Sequence, residues 1–102
     1  MSQFALNQRN KLLLLIQYFI DKIRASKLMF EVRGEGPIFG IITPQNDFCR
    51  NFAHHLQQNG LDVRPILSPT VPMGSERLRV ILHSFNTKEE IDFLISLLID
   101  YK

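Results

Sequence analysis

Scarcity is the first signal in this sequence. Its 102 residues include one cysteine, no tryptophan and five glycines. A single cysteine, Cys49, excludes an internal disulfide framework and a multi-cysteine zinc site. Neither sign of charge dominates: 12 Lys and Arg against 10 Asp and Glu leave a net charge of +2. That is far from the concentrated basic face of a nucleic-acid binder. Long hydrophobic runs are missing too. The longest unbroken one, residues 12–16, is closed by Gln17, whereas a spanning helix needs about 20 predominantly apolar residues. No small-residue cleavage site follows it, so no secretory leader is expected. The reading is a cytoplasmic protein that engages neither membrane nor nucleic acid, with an unpaired thiol suited to a reducing compartment.

What is present is core material. Hydrophobic residues make up 45% of the chain and include eight phenylalanines, enough apolar surface to argue against disorder. The length suits one domain, residues 1–102. Within it we expect a connecting helix over residues 1–27 and an α/β core over 28–102. A domain of this size buries a smaller fraction of its surface than a larger one, which raises the question of a larger parent.

The pattern predicts a helix over residues 7–26, with Leu12, Ile16, Phe19 (or Ile20) and Ile23 on one stripe. Leu13, Leu14 and Leu15 widen that stripe, so the helix calls for cover on more than one side. Gly34, Gly36 and Pro37 break the chain. Residues 38–42 then read as a strand buried on both faces, ended by Pro44. Residues 47–58 form a helix with Asn46 or Asp47 as N-cap, Asn59-Gly60 at its end, and Phe48, Phe52 and Leu56 facing the core. Leu61, Val63 and Ile66 suggest a second strand, which Pro65 pushes to a sheet edge. The prolines in residues 68–74 fix φ and remove donors, making a stiff loop. A third strand covers residues 77–83, with Leu78, Val80 and Leu82 on one face and Arg77, Arg79, Ile81 and His83 on the other. Thr87 and Glu90 make a capping box for a last helix that buries Ile91, Leu94, Ile95 and Leu98. The expected order is α-β-α-β-β-α: an α+β fold with a small, mainly antiparallel three-stranded sheet and helices packed on it.

Most chemistry-bearing residues have plain readings. His54 and His55 are adjacent in a helix, so their side chains diverge by about 100° and cannot form a two-histidine metal site alone. Cys49 lacks an electropositive setting and reads as an inert thiol. Gly34-Glu35-Gly36 precedes a strand and lacks a third glycine, so it is a turn, not a phosphate cradle. Arg77-Leu78-Arg79 is the informative motif. Two arginines share the face opposite Leu78. They are either exposed surface charges or a carboxylate clamp, for which guanidinium offers a bidentate fork that lysine lacks.

The run Pro69-Thr70-Val71-Pro72-Met73-Gly74-Ser75-Glu76-Arg77-Leu78-Arg79 resembles the PTVP-x-G-x-x-RLR signature of the α-oxoamine synthases, fold-type I enzymes dependent on pyridoxal 5′-phosphate. Gly36-Pro37-Ile38 is similar to the Ser-Pro-Ile that precedes a strand in that family. Residues 52–63 and 83–94 resemble its helix-Gly-strand unit and its closing segment. The likeness runs from about Arg9 to Tyr101. Leu67-Ser68 depart from it, standing where many members have Arg-Pro.

The resemblance implies the C-terminal small domain of a fold-type I aminotransferase-like enzyme, an acyltransferase acting on an amino acid and an acyl thioester. It implies that Arg79 binds the amino-acid carboxylate and that Thr70 lies at the acyl-substrate site; no comparable role falls to Arg77. The family's aldimine-forming lysine, and the aspartate and histidine around its cofactor, have no counterpart here. Lys11, Lys22, Lys27, Lys88 and Lys102 all lie in unmatched contexts. We therefore expect no bound cofactor and no activity in this piece alone, and its own large domain and a second subunit of a homodimer as partners. A non-catalytic binding module that kept the fold is the alternative.

Overall fold

The computed structural model describes residues 2–101. Helix α1, Gln3–Ala25, starts at Ser2, whose hydroxyl accepts from the Ala5 amide. It begins one turn earlier than the apolar stripe suggests, because a cap and not a hydrophobic residue sets the start. Leu15 and Phe19 are its buried residues. The Phe19 ring meets that of Phe39 with centroids 4.5 Å apart. Leu12, Ile16, Ile20 and Ile23 are partly buried against the same core. The widened stripe is real, since Leu14 on it stays 70% exposed.

The sheet has four strands, not three. They are β1 Val32–Arg33, β2 Ile38–Ile42, β3 Val63–Ile66 and β4 Arg77–Ile81, in the spatial order β1-β2-β4-β3, all antiparallel. The added strand is two residues long, too short to show a period, and the Ile42 amide extends its pairing by donating to the Glu31 carbonyl at 2.8 Å. Strand β3, with Pro65, lies at an edge as expected. Strand β2 corrects another expectation. Phe39 and Ile41 are buried on one face; on the other Ile42 is buried too, but Ile38 is 53% exposed. Helices cover only one side of the sheet.

Helix α2, Asn46–Gln58, packs Phe52 and Leu56 into the core, with Phe48 partly buried beside them. Its N-cap is Gln45, at φ +78° with no side-chain cap bond. Asn46 is not the cap because its side chain is used elsewhere, as described below. Helix α3, Lys88–Asp100, has the expected capping box and buries Ile91, Leu94, Ile95 and Leu98. The core-facing side of β4 is also as expected, with Leu78 and Val80 buried and Leu82 continuing the pattern. Tyr18 on α1 donates to Asp92 on α3 at 2.7 Å. The receiving carboxylate raises the pKa of the phenol, and the contact ties the two helices together.

Candidate functional site

The uncovered face of the sheet carries the candidate site. Strand register sets Arg33, Gly40, Arg79 and Arg64 in one row across all four strands. Arg77 stands in the next row, between Ile42 and Ile66. A hollow of about 330 Å³ lies over this face, lined by Arg33, Gly34, Ile38, Gly40, Ile66, Arg77 and Arg79, among others.

The arginines are not equivalent. Arg33 pairs with Glu31 at 2.9 Å, and Arg64 with Asp62 at 3.4 Å. Arg77 donates its Nε to the Ser75 carbonyl at 3.1 Å. Its stem lies over Gly40, where a Cβ would stand 3.1 Å from Arg77 Cδ. Arg79 is exposed on a central strand, and its guanidinium has neither an ion pair nor a hydrogen bond among the described residues. Directly across from it stands Arg64, a like-charge cross-strand neighbour that disfavours the arrangement. An open fork on a strand, next to positive charge, is arranged to accept an anion.

The second residue singled out from the sequence, Thr70, lies outside this hollow. It is exposed on the turn that precedes β4. What holds that loop is a set of bonds the sequence did not reveal. Asn46 Oδ1 accepts from the Ser68 amide at 3.0 Å and from the Ser68 hydroxyl at 3.2 Å. Glu76 is 2% exposed and accepts from the Gly74 amide at 2.8 Å and the Gln45 amide at 3.1 Å. Backbone amides, its own first among them, hold this carboxyl below its ordinary pKa, against the opposing effect of burial. The Thr43 amide donates to the Glu76 carbonyl at 2.8 Å. A buried acid one residue before β4 thus clamps the proline loop to the start of α2 and sets where β4 begins. The only sequence clue was its place between a glycine turn and a strand.

The remaining candidates take their plain readings. Cys49 is fully buried, and burial pushes its thiol pKa up, with weaker opposing effects from Thr43 and the Ile66 backbone. His54 is exposed, while the His55 ring packs 5.2 Å from that of Tyr101. Among the described residues no group of three or more His, Cys, Asp or Glu could hold a metal ion. None of their helices is long and apolar enough to cross a membrane.

Pyridoxal phosphate is held through a lysine amine inside an enclosed site. Lys11, Lys22, Lys27 and Lys88 are all exposed, and Lys22 and Lys88 sit over the Tyr18 ring at 5.5 and 5.2 Å. Lys102 lies outside the described residues. The described lysines do not fit the cofactor.

The chain is 34% identical over 89 residues to a protein of Lysinibacillus sphaericus, covering 87% of this chain and 23% of that one. It is 46% identical over 59 residues to a protein of Emericella nidulans, covering 58% of this chain and 14% of that one. A third match, to the aminoacyl transferase sphA of Aspergillus fumigatus, is 45% identical over 47 residues, or 46% of this chain and 10% of that one. No protein-family model matches. The chain therefore spans only 10–23% of the length of these relatives. Fold and similarity together are consistent with the C-terminal domain of an α-oxoamine synthase. The Lysinibacillus and Emericella relatives both carry the name 8-amino-7-oxononanoate synthase.

Proposed function

We propose that this chain is the C-terminal, substrate-positioning domain of an 8-amino-7-oxononanoate synthase. That enzyme is an acyltransferase that condenses L-alanine with a pimeloyl thioester, with loss of CO2, in biotin biosynthesis. In this reading the cofactor, pyridoxal phosphate, is held by protein outside this chain, and the chain alone is inactive. The whole works as a cytoplasmic homodimer. The own large domain and second subunit cover the outer face of α1, where Leu13 and Leu14 are exposed.

The observation that carries this reading is the free fork of Arg79 in the hollow. An amino-acid carboxylate accepts two parallel N–H bonds from a guanidinium, which fixes orientation as well as charge. Orientation matters because the bond to be broken must be aligned with the reacting centre. The proline loop, clamped by Glu76 and Asn46, delivers β4 and Arg79 at a set position. Thr70, on the same loop but outside the hollow, faces the acyl partner.

In the intact enzyme, Arg79→Ala should raise the alanine KM and lower kcat while leaving the thermal midpoint nearly unchanged. Arg79→Lys should recover little, since a point charge lacks the fork. Wild-type kinetics in the alanine variant, or activity lost only through unfolding, would make Arg79 an ordinary surface residue.

A second reading is favoured by the match to an aminoacyl transferase and by Leu67-Ser68 before the proline loop. The parent would then be a related α-oxoamine synthase, such as a 2-amino-3-ketobutyrate ligase or a serine palmitoyltransferase. Assaying the intact parent with alanine, glycine and serine separates the two.

A further inference from the structure

We infer that Asn46 is a positioning residue for the acyl partner, acting through Ser68 to hold Thr70 in place. This rests on the reading, given above, that Thr70 faces that partner.

Three observations carry it. The first is the grip. Asn46 Oδ1 accepts from the Ser68 amide at 3.0 Å and from its hydroxyl at 3.2 Å, and Asn46 Nδ2 donates to the Ser68 carbonyl at 3.4 Å. One side chain thus meets every polar group of one residue. Ser68 stands where the resembling family often has proline. Proline has neither an amide hydrogen nor a hydroxyl, so two of the three bonds depend on serine being there. Proline also fixes its own φ. Serine does not, so the entry to this loop needs a hold from outside.

The second is what the grip displaces. Asparagine is a favoured N-cap, yet α2 is capped by Gln45, with no side-chain cap bond and with φ at +78°. A side chain at positive φ is strained. A missing cap and a strained residue therefore stand side by side, and both serve the same loop. The Gln45 amide donates to Glu76, and the Asn46 side chain holds Ser68. Such departures from local preference persist where surrounding structure enforces them, and they gather at functional sites.

The third is the division of the loop. Glu76 holds its Gly74 end, beside β4. Asn46 holds its Ser68 end, two residues before Thr70. Arg79 has a hold of its own, in the ladder between Gly40 and Arg64. Thr70 has no strand around it and sits in an exposed turn, closed by the Val71 amide donating to the Leu67 carbonyl at 3.2 Å. Releasing Ser68 frees Thr70 and leaves Arg79 in its ladder.

The test is steady-state kinetics of the intact enzyme, with thermal unfolding as control. Asn46→Ala should raise the KM for the acyl thioester about fivefold, the scale of a lost hydrogen-bonded hold, and leave the alanine KM within about twofold. A purely structural role would move both constants together or neither. Ser68→Pro removes both donors, so in that background Asn46→Ala should change the acyl KM by less than about twofold. An unchanged acyl KM in Asn46→Ala, an equal rise in both constants, or the full effect persisting beside Ser68→Pro overturns the inference. An acyl KM unmoved by Thr70→Ala overturns it too, and marks the failure as that of the Thr70 reading and not of the grip. A wild-type protein that joins no amino acid to an acyl thioester overturns both.

Discussion

Replacing Phe19 by alanine probes how α1 is held. Phe19 is fully buried, with its ring 4.5 Å from that of Phe39. A buried aromatic side chain removes about 150–250 Å² from water. At about 25 cal/mol per Å² that is roughly 4–6 kcal/mol, of which the alanine methyl retains a part. Measured Phe→Ala changes in cores fall at about 3–5 kcal/mol, cavity cost included. Against a total of about 5–15 kcal/mol for a domain, this is a large share. Leu14, on the same helix, is 70% exposed; full burial of a leucine is worth about 1.5–3 kcal/mol, so Leu14→Ala should cost under about 1 kcal/mol. Urea unfolding followed by circular dichroism measures both. Phe19→Ala should lower the midpoint sharply at unchanged or slightly reduced slope. A cost below about 1 kcal/mol for Phe19→Ala, or equal costs at the two sites, would refute the docking of α1 through Phe19.

Glu76 makes stability depend on pH. Its folded pKa lies below the ordinary carboxylate value, so its contribution is fully present above that value and is lost as pH falls through the folded one. Urea midpoints measured down the acid limb should fall, and Glu76→Gln should flatten that limb while lowering stability at neutral pH. Gly36→Ala should destabilise by about 2 kcal/mol or more, because φ is +91° and the new Cβ would meet Ile16 Cγ2 at 2.6 Å. Gly60→Ala, at φ +85° with open space around it, carries only the conformational cost of about 1 kcal/mol; equal effects in thermal melts would count against the close approach at Gly36. Cys49, buried and with a raised pKa, should react with a thiol reagent only at the rate of opening, and fast labelling under native conditions would contradict its burial.

Periodicity determined what periodicity can carry. The alternation of Leu78, Val80 and Leu82 required one face of β4 to be buried, and the structure buries all three. The Thr87–Glu90 box set the start of α3, since capping is a contact between residues three apart. Pro65 put β3 at an edge because proline has no donor to give a second neighbour. Motif likeness marked Arg79 from the sequence. Local pattern could not decide which strands become neighbours. Strand β1 exists only because the turn at Gly34 brings two residues against β2. Arg33 joins Arg79 only through the register of two pairings across Gly40. The openness of one face of β2 followed from where the helices pack, so a continuous apolar run alone misread it. Glu76 became a buried clamp because its partners, Gln45 and Gly74, come from two different turns. Each of these depends on residues far apart in the chain meeting in space, which spacing along the chain cannot express.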